Sequence, residues 1–180
     1  MIVLLGDSCA GKSTIERELQ AEYKYNKIIS YTTRPMRINE TNNIDYHFIH
    51  RDLFQTMFKD RKFAEHTMYN GWYYGIAKDD CVDDAIAVVE PVGFRQLKKL
   101  EYLNVISFYI ETEERERVRR MMERGDNVME SFRRIISDQG SFNGIKYEVD
   151  FVIPNPRGDY RTIDNVVKEI HQIYLLKNKI

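Results

Sequence analysis

Gly6–Ser13 (GDSCAGKS) is the stretch of this chain whose residue types and spacing most directly imply chemistry. It follows an apolar run, Met1–Leu5 (MIVLL), with no spacer. It opens onto Lys12–Tyr23 (KSTIERELQAEY), where Ile15, Leu19 and Tyr23 recur at helical spacing. The pattern is G-x-x-x-x-G-K-[ST] with a strand before it and a helix after it. Glycines let the backbone fold tightly, so that several N–H groups point at one anion. The helix N-terminus adds partial positive charge. Lys12 can reach the β- and γ-phosphates of a nucleoside triphosphate, and the Ser13 hydroxyl can hold Mg²⁺. Gly6, Asp7, Ser8, Cys9, Ala10, Gly11, Lys12, Ser13 and Thr14 are therefore the expected triphosphate-binding set, with Ser13 the expected metal ligand.

The rest of the chain must position that loop. At 180 residues it fits one domain with a real core. Hydrophobic residues at 43% and charged residues at 31% fit a folded protein rather than a disordered one. The net charge of −1 gives no global bias towards nucleic acid or an acidic membrane. No apolar run approaches the roughly 20 residues that span a bilayer. With a strand at the very start, no signal peptide is expected. Cys9 and Cys81 form no disulfide framework, and a cytoplasmic location is the simple expectation.

Strands and helices alternate as in a parallel α/β sheet. Lys27–Tyr31, Ala85–Val89, Val105–Ile110 and Phe151–Ile153 read as further strands. Phe94–Leu100, Glu113–Glu123 and Tyr160–Leu176 read as helices, the last with Ile163, Val166, Val167, Ile170 and Ile173 along one face. Thr32–Lys78 breaks the alternation with strand-like pieces such as Asp45–Ile49. Within it, Asn70-Gly71 signals a hairpin between Phe63–Tyr69 and Trp72–Ile76. Arg124–Met129 is a second break, between two arginine-bearing helices. A parallel-sheet core, residues 1–31 and 79–180, with a small mixed α+β insertion at 32–78 and a short lid at about 120–134, suggests a kinase with an acceptor pocket.

Taken in order, GDSCAGKST, YTTRPMRINE, IDYHFI and FAEHTMYNGWYYG resemble the guanylate kinase family, nearly end to end. The resemblance implies a three-layer, parallel-sheet phosphate-loop fold and transfer of the γ-phosphoryl group of ATP, with Mg²⁺, to GMP or dGMP. It implies that Ser30, Arg34, Arg37, Tyr46 and Tyr74 surround the acceptor phosphate, and that Glu65 reads guanine through its N1–H and exocyclic amine. Two arginines three residues apart can present planar forks to one phosphate, and tyrosine hydroxyls can complete the shell. It also implies that Arg124, Arg120 and Arg134 (or its neighbour Arg133) stabilise the moving phosphoryl group alongside Lys12 and Arg34. Arg115, Arg117 and Arg119 are left as surface charge, paired with the glutamates at 111–116.

The chain departs from the family in the base pocket. Ile76 stands where a hydroxyl is usual, which predicts weaker base discrimination. Val88 replaces one acidic residue, Val92 replaces a glutamine, and Glu90 retains a carboxylate that could face the base or a Mg²⁺-bound water. In the loop, Asp7 and Cys9 stand where Pro and Gly are usual, and Cys9 is expected to need ordinary backbone angles. No general base is required, because the acceptor phosphate is already an anionic nucleophile. His47, His50, His66 and His171 show no metal spacing. Two other activities follow from the same residues. One is a kinase for another nucleotide or a phosphorylated sugar such as ribose bisphosphate. The other is a non-catalytic domain that docks phosphorylated peptides, disfavoured by the intact Gly6, Gly11, Lys12, Ser13 and Thr14. No nucleic-acid or membrane partner is expected.

Overall fold

The structure, a computed structural model, describes residues 1–38, 40–69, 71–155 and 162–178. Its centre is a five-stranded parallel sheet. The strands are β1 (Ile2–Leu5), β2 (Asn26–Lys27), β7 (Ala85–Val88), β8 (Ile106–Glu111) and β9 (Phe151–Pro154), in the order β2-β7-β1-β8-β9. The register pairs Leu4 with Val88 on one side and with Phe108 on the other. Side chains alternate across a strand. Met1, Val3, Leu5, Ala85 and Ala87 accordingly bury one face, and Ile2, Leu4, Ile86, Phe108 and Ile110 the other. Helices α1 (Lys12–Tyr23) and α6 (Ile163–Lys177) cover the second face with Ile15, Leu19, Val166, Val167 and Ile170. Helix α3 (Pro91–Leu97) and the end of α5 (Val128–Ser141) cover the first, with Phe94, Leu97 and Phe142. Helix α4 (Glu114–Glu123) leads into α5.

A second, four-stranded sheet is built from β3 (Tyr31–Thr32), β4 (His47–Phe48), β5 (Phe63–Tyr69) and β6 (Trp72–Ala77), in the order β4-β3-β6-β5. β5 and β6 form the expected hairpin, with Tyr69 paired to Trp72 and Gly71 at φ +82°. Asn70 lies outside the described residues. Helix α2 (Arg51–Lys59) was not foreseen. Leu53, Phe54, Met57 and Phe58 recur at helical spacing in RDLFQTMFK, a signal that was present in the sequence, and of these Phe54 is buried, stacked on Phe63 at 4.4 Å.

Three other expectations are corrected. Lys27–Tyr31 is not one strand. Ile28 still donates to the Ile86 carbonyl at 2.9 Å, and the chain then crosses from β2 in the first sheet to β3 in the second. Asp45–Ile49 contributes only His47–Phe48. The helix read at Phe94–Leu100 begins three residues earlier, because Pro91 at its first turn supplies a pre-set φ and lacks an N–H that would go unpaired there. The closing helix starts at Ile163 behind a Thr162 cap; Tyr160, its expected start, lies outside the described residues.

Candidate active site

The two sheets face each other across a cleft of about 1220 Å³. One wall carries Ser8, Cys9, Lys12 and Ser13 of the phosphate loop. The other carries Ser30, Arg34, Arg37, Tyr46, Glu65 and Tyr74. Glu90, Arg124, Arg133 and Arg134 line it as well. All the expected acceptor residues line this cleft, together with Ser8, Cys9, Lys12 and Ser13 of the expected triphosphate set, whereas Gly6, Asp7, Ala10, Gly11 and Thr14 are not among its lining residues.

The loop's shape follows from its glycines. Gly6 has φ +146°, and a Cβ there would sit 2.7 Å from the Ile110 carbonyl oxygen. Gly11 has φ +103°, and its Cβ would meet Asn155 Nδ2 at 2.5 Å. Cys9 also takes a left-handed φ, +61°, contrary to the expectation of ordinary angles. A non-glycine residue there carries a cost of about 1–2 kcal/mol. At the head of α1, the N–H groups of Lys12 and Ser13 have no carbonyl one turn back to meet. Lys12 Nζ folds onto the loop itself, donating to the carbonyls of Gly6 and Asp7. Burial lowers its pKa, and Glu90, Asp138 and Asp7 oppose that shift.

Each arginine named for the phosphates already holds a carboxylate. Arg34 grips Glu40 through two nitrogens, at 2.7 and 2.8 Å, and lies over the rings of Tyr46 and Phe48. Arg37, mostly exposed, approaches the same Glu40 at 3.7 Å. Arg124 pairs with Asp126 and donates to Cys9 Sγ at 3.2 Å. Arg134 approaches Asp126 at 3.6 Å and Glu130 at 3.1 Å, while Arg133 pairs with Glu130 at 2.6 Å. Arg120 is placed differently. It donates to the carbonyls of Cys9, Ala10 and Asn155, and pairs with Glu116 at 2.9 Å. It therefore buttresses the loop from outside the cleft.

The base-reading end is carboxylate-rich. Glu65 is 4% exposed. Burial pushes its pKa up to about 8; the Ile76 N–H it accepts from opposes this, and the charge on Glu90 adds to it. Its Oε2 occupies space that only a glycine at 93 leaves open, since a Cβ there would lie 2.3 Å away. Glu90 stands just after β7, and its Oε2 is buried without a partner among the described residues. Burial raises its pKa too, and Lys12 opposes the shift. Ile76 contradicts its expected place: the side chain is fully buried in the core and does not line the cleft. Its contribution there is the backbone N–H to Glu65. Val88 does line the cleft, with Ile28, Ile29 and Val89.

Sequence reading missed several residues. Glu16 lies one helical turn beyond Ser13, lines the cleft and is 8% exposed. Burial raises its carboxyl to about 7, with Lys27 opposing from 3.9 Å. Asp138 accepts from the N–H and hydroxyl of Ser8 at 2.8 and 3.2 Å. Arg117, read as surface charge, is 5% exposed and lies 3.4 Å from Asp138 and 3.8 Å from Asp7. Glu16 and Arg117 carried a detectable signal, an ionisable residue on a helix face that turns inward. Among the described residues, no cluster of three or more His, Cys, Asp or Glu could hold a metal ion unaided. His171 stacks on Tyr23 and bonds Tyr25, a packing role.

A glycine loop heading a parallel sheet, opposed across a cleft by an inserted mixed sheet, defines a phosphate-loop α/β fold of the nucleotide-kinase kind. The guanylate kinase family model matches residues 1–173, and the chain belongs to that family. Its structure is similar to the crystal structure of a guanylate kinase from Anaplasma phagocytophilum. The TM-score is 0.75 at 22% identity, over 98% of this chain and 85% of that one. It is also similar to an uncharacterized protein from Eubacterium ventriosum, with a TM-score of 0.53 at 12% identity over 97% and 98% of the two chains. Among the described residues no helix is long and apolar enough to cross a membrane.

Proposed function

We propose that the chain transfers the γ-phosphoryl group of ATP to a nucleoside monophosphate in the cytoplasm, with GMP or dGMP as the preferred acceptor. The observation that carries this reading is the shared cleft, with Lys12 and Ser13 on one wall and Arg34, Arg37, Tyr46, Tyr74 and Glu65 on the other. In it, Lys12 leaves its loop carbonyls for the donor phosphates. Arg34 and Arg37 exchange Glu40 for the acceptor phosphate, presenting planar forks that match it. Tyr46 and Tyr74 direct hydroxyls to the same group. Arg124 and Arg134 face the charge that develops on the transferring phosphoryl group. Arg120 holds the loop in shape, so its contribution is positioning.

Mg²⁺ fits the residues present. Ser13 offers a hydroxyl, and Glu90 Oε2, unpartnered among the described residues, offers an acceptor for a metal-bound water. Magnesium typically takes one or two protein ligands and borrows phosphate oxygens for the rest. When bound, it would neutralise charge on the donor phosphates.

Guanine preference rests on Glu65. Buried and raised towards pH 8, its carboxylate has the Ile76 N–H to stabilise its charge and room to accept further donors. Guanine brings two, N1–H and the exocyclic amine. Adenine, cytosine and uracil do not offer that pair in the same geometry. The apolar Val88 in the cleft favours a second reading, a kinase whose base selection is relaxed towards other nucleotides or a phosphorylated sugar. An ADP-release assay across GMP, dGMP, AMP, CMP, UMP and a ribose bisphosphate decides between them. GMP or dGMP should give the highest kcat/KM. A chain that ignores both and consumes another acceptor loses the guanylate assignment; one that binds without turnover is not an enzyme.

A further inference from the structure

One face of α5 runs from the rim of the cleft to the phosphate loop. Glu130, Arg134 and Asp138 recur every four residues along it, and Phe142 follows at the helix end. Glu130 and Arg134 line the cleft, and Arg134 faces Asp126. One turn later Asp138 is 2% exposed and holds Ser8 of the loop by both the N–H and the hydroxyl. One turn further, the Phe142 ring lies 6.0 Å from Lys12 Nζ. Asp138 is fixed from behind by Arg117 at 3.4 Å. Arg117 also approaches Asp7 at 3.8 Å, and the other Asp7 oxygen accepts from the Tyr109 hydroxyl. The loop is thus tied to α5 through a buried carboxylate, on the same helix face that presents an arginine to the cleft.

We propose that Asp138 is a positioning residue that couples occupancy of the phosphate loop to the arginine face of α5, so that donor and acceptor bind cooperatively. The inference rests on the donor and acceptor assignment above. A triphosphate that draws Lys12 and the loop amides to itself changes the partners of Ser8. Asp138 follows Ser8, because a buried carboxylate cannot give up a donor without a replacement. A helix moves as a unit, so Arg134, one turn away, shifts with it. The acceptor then meets an arginine already placed. Linkage requires the reverse as well: acceptor binding must tighten donor binding by the same factor.

The test measures the GMP dissociation constant with and without a non-hydrolysable ATP analogue, and the analogue's own affinity, in the parent, Asp138→Ala, Asp138→Asn and the double variant Arg117→Met/Asp138→Leu. The parent should show the analogue tightening GMP by about 5-fold or more, the lower end of ordinary coupling. In Asp138→Ala the factor should fall below about twofold while the analogue alone still binds. Asp138→Asn keeps an acceptor for the Ser8 N–H and should retain part of the coupling, which a purely structural defect would not do. If Asp138→Ala fails to fold, the double variant decides, because it removes both members of the buried pair together. An unchanged factor in a folded variant overturns the proposal, as does a parent with no coupling between two bound ligands. A parent that binds neither ligand overturns the kinase reading, and this proposal with it.

Discussion

At the scale of single residues, the strongest expectation concerns Lys12. Its ammonium donates to loop carbonyls and lies near the Phe142 ring without an ion pair at contact distance among the described residues, so Lys12→Ala should leave the fold intact and abolish turnover. Loss of one preorganised contact to a transition state costs about 2.7–4 kcal/mol. Turnover at the parent rate, by ADP release, would show that Lys12 does not reach the phosphates. Arg34→Ala should weaken the acceptor far more than ATP, by about 2–5 kcal/mol, since it also strands Glu40 without its bidentate partner. Arg34→Lys should rescue poorly for want of the planar fork. Titrations showing equal losses for both ligands would remove Arg34 from the acceptor site. The residues behind both predictions were legible, because GDSCAGKS and TTRPMR encode a contiguous chemistry. Asp138, 130 residues from its partner Ser8, was not, since nothing local announces a contact across that distance. Ile76 was misread because a residue beside a binding motif need not face the ligand.

At the scale of elements, the periodicity of α1 and α6 was legible, while that of α2 was overlooked within a stretch read as a break, and the short strands were not legible. Helix α1 occupies Lys12–Tyr23 as read, because Ile15 and Leu19 repeat cleanly and the loop fixes its start. β2 and β3 are two residues each, too short to carry a pattern, so KIISY read as one strand and concealed a change of sheet. Helix α2 depends on one anchor, and it carries the element-scale prediction. Phe54 stacks on Phe63 and lies 5.3 Å from Tyr73. Phe54→Ala should cost about 3–5 kcal/mol locally. The loss should fall on the inserted sheet rather than on the parallel core. Acceptor affinity should therefore drop while the ATP analogue binds as before. A parallel loss of analogue binding would show that the two sheets fold as one cooperative unit.

At the scale of the whole molecule, two buried acids contribute to the pH dependence of stability. Glu65 rises to about 8 and Glu16 to about 7 in the folded chain, against an ordinary value near 4.5. Between about pH 4.5 and those values the folded state binds more protons than the unfolded one. By linkage, stability then falls as pH rises, is fully present below about 4.5 and is lost through 7–8. Melting scans should show Tm declining from pH 5.5 to 8.5, with the slope flattened in Glu16→Gln/Glu65→Gln. A Tm that climbs over that range would mean the two carboxyls are ionised at little cost.

The arginines of the cleft have one more consequence, for the salts around the protein. A bare cluster of guanidinium groups would collect dissolved anions and shed them when substrate arrives, which makes affinity fall steeply with ionic strength. Here Glu40, Asp126 and Glu130 travel with the chain as its own counter-anions. Substrate entry becomes an exchange of carboxylate for phosphate, and few ions are taken from or returned to solution. GMP affinity should therefore vary only shallowly with potassium chloride. In Glu40→Gln the Arg34 fork would stand open, the dependence should steepen, and sulfate should become a competitive inhibitor. A plot of log Kd against log salt for the two proteins, identical in slope, would show that Glu40 holds no such place.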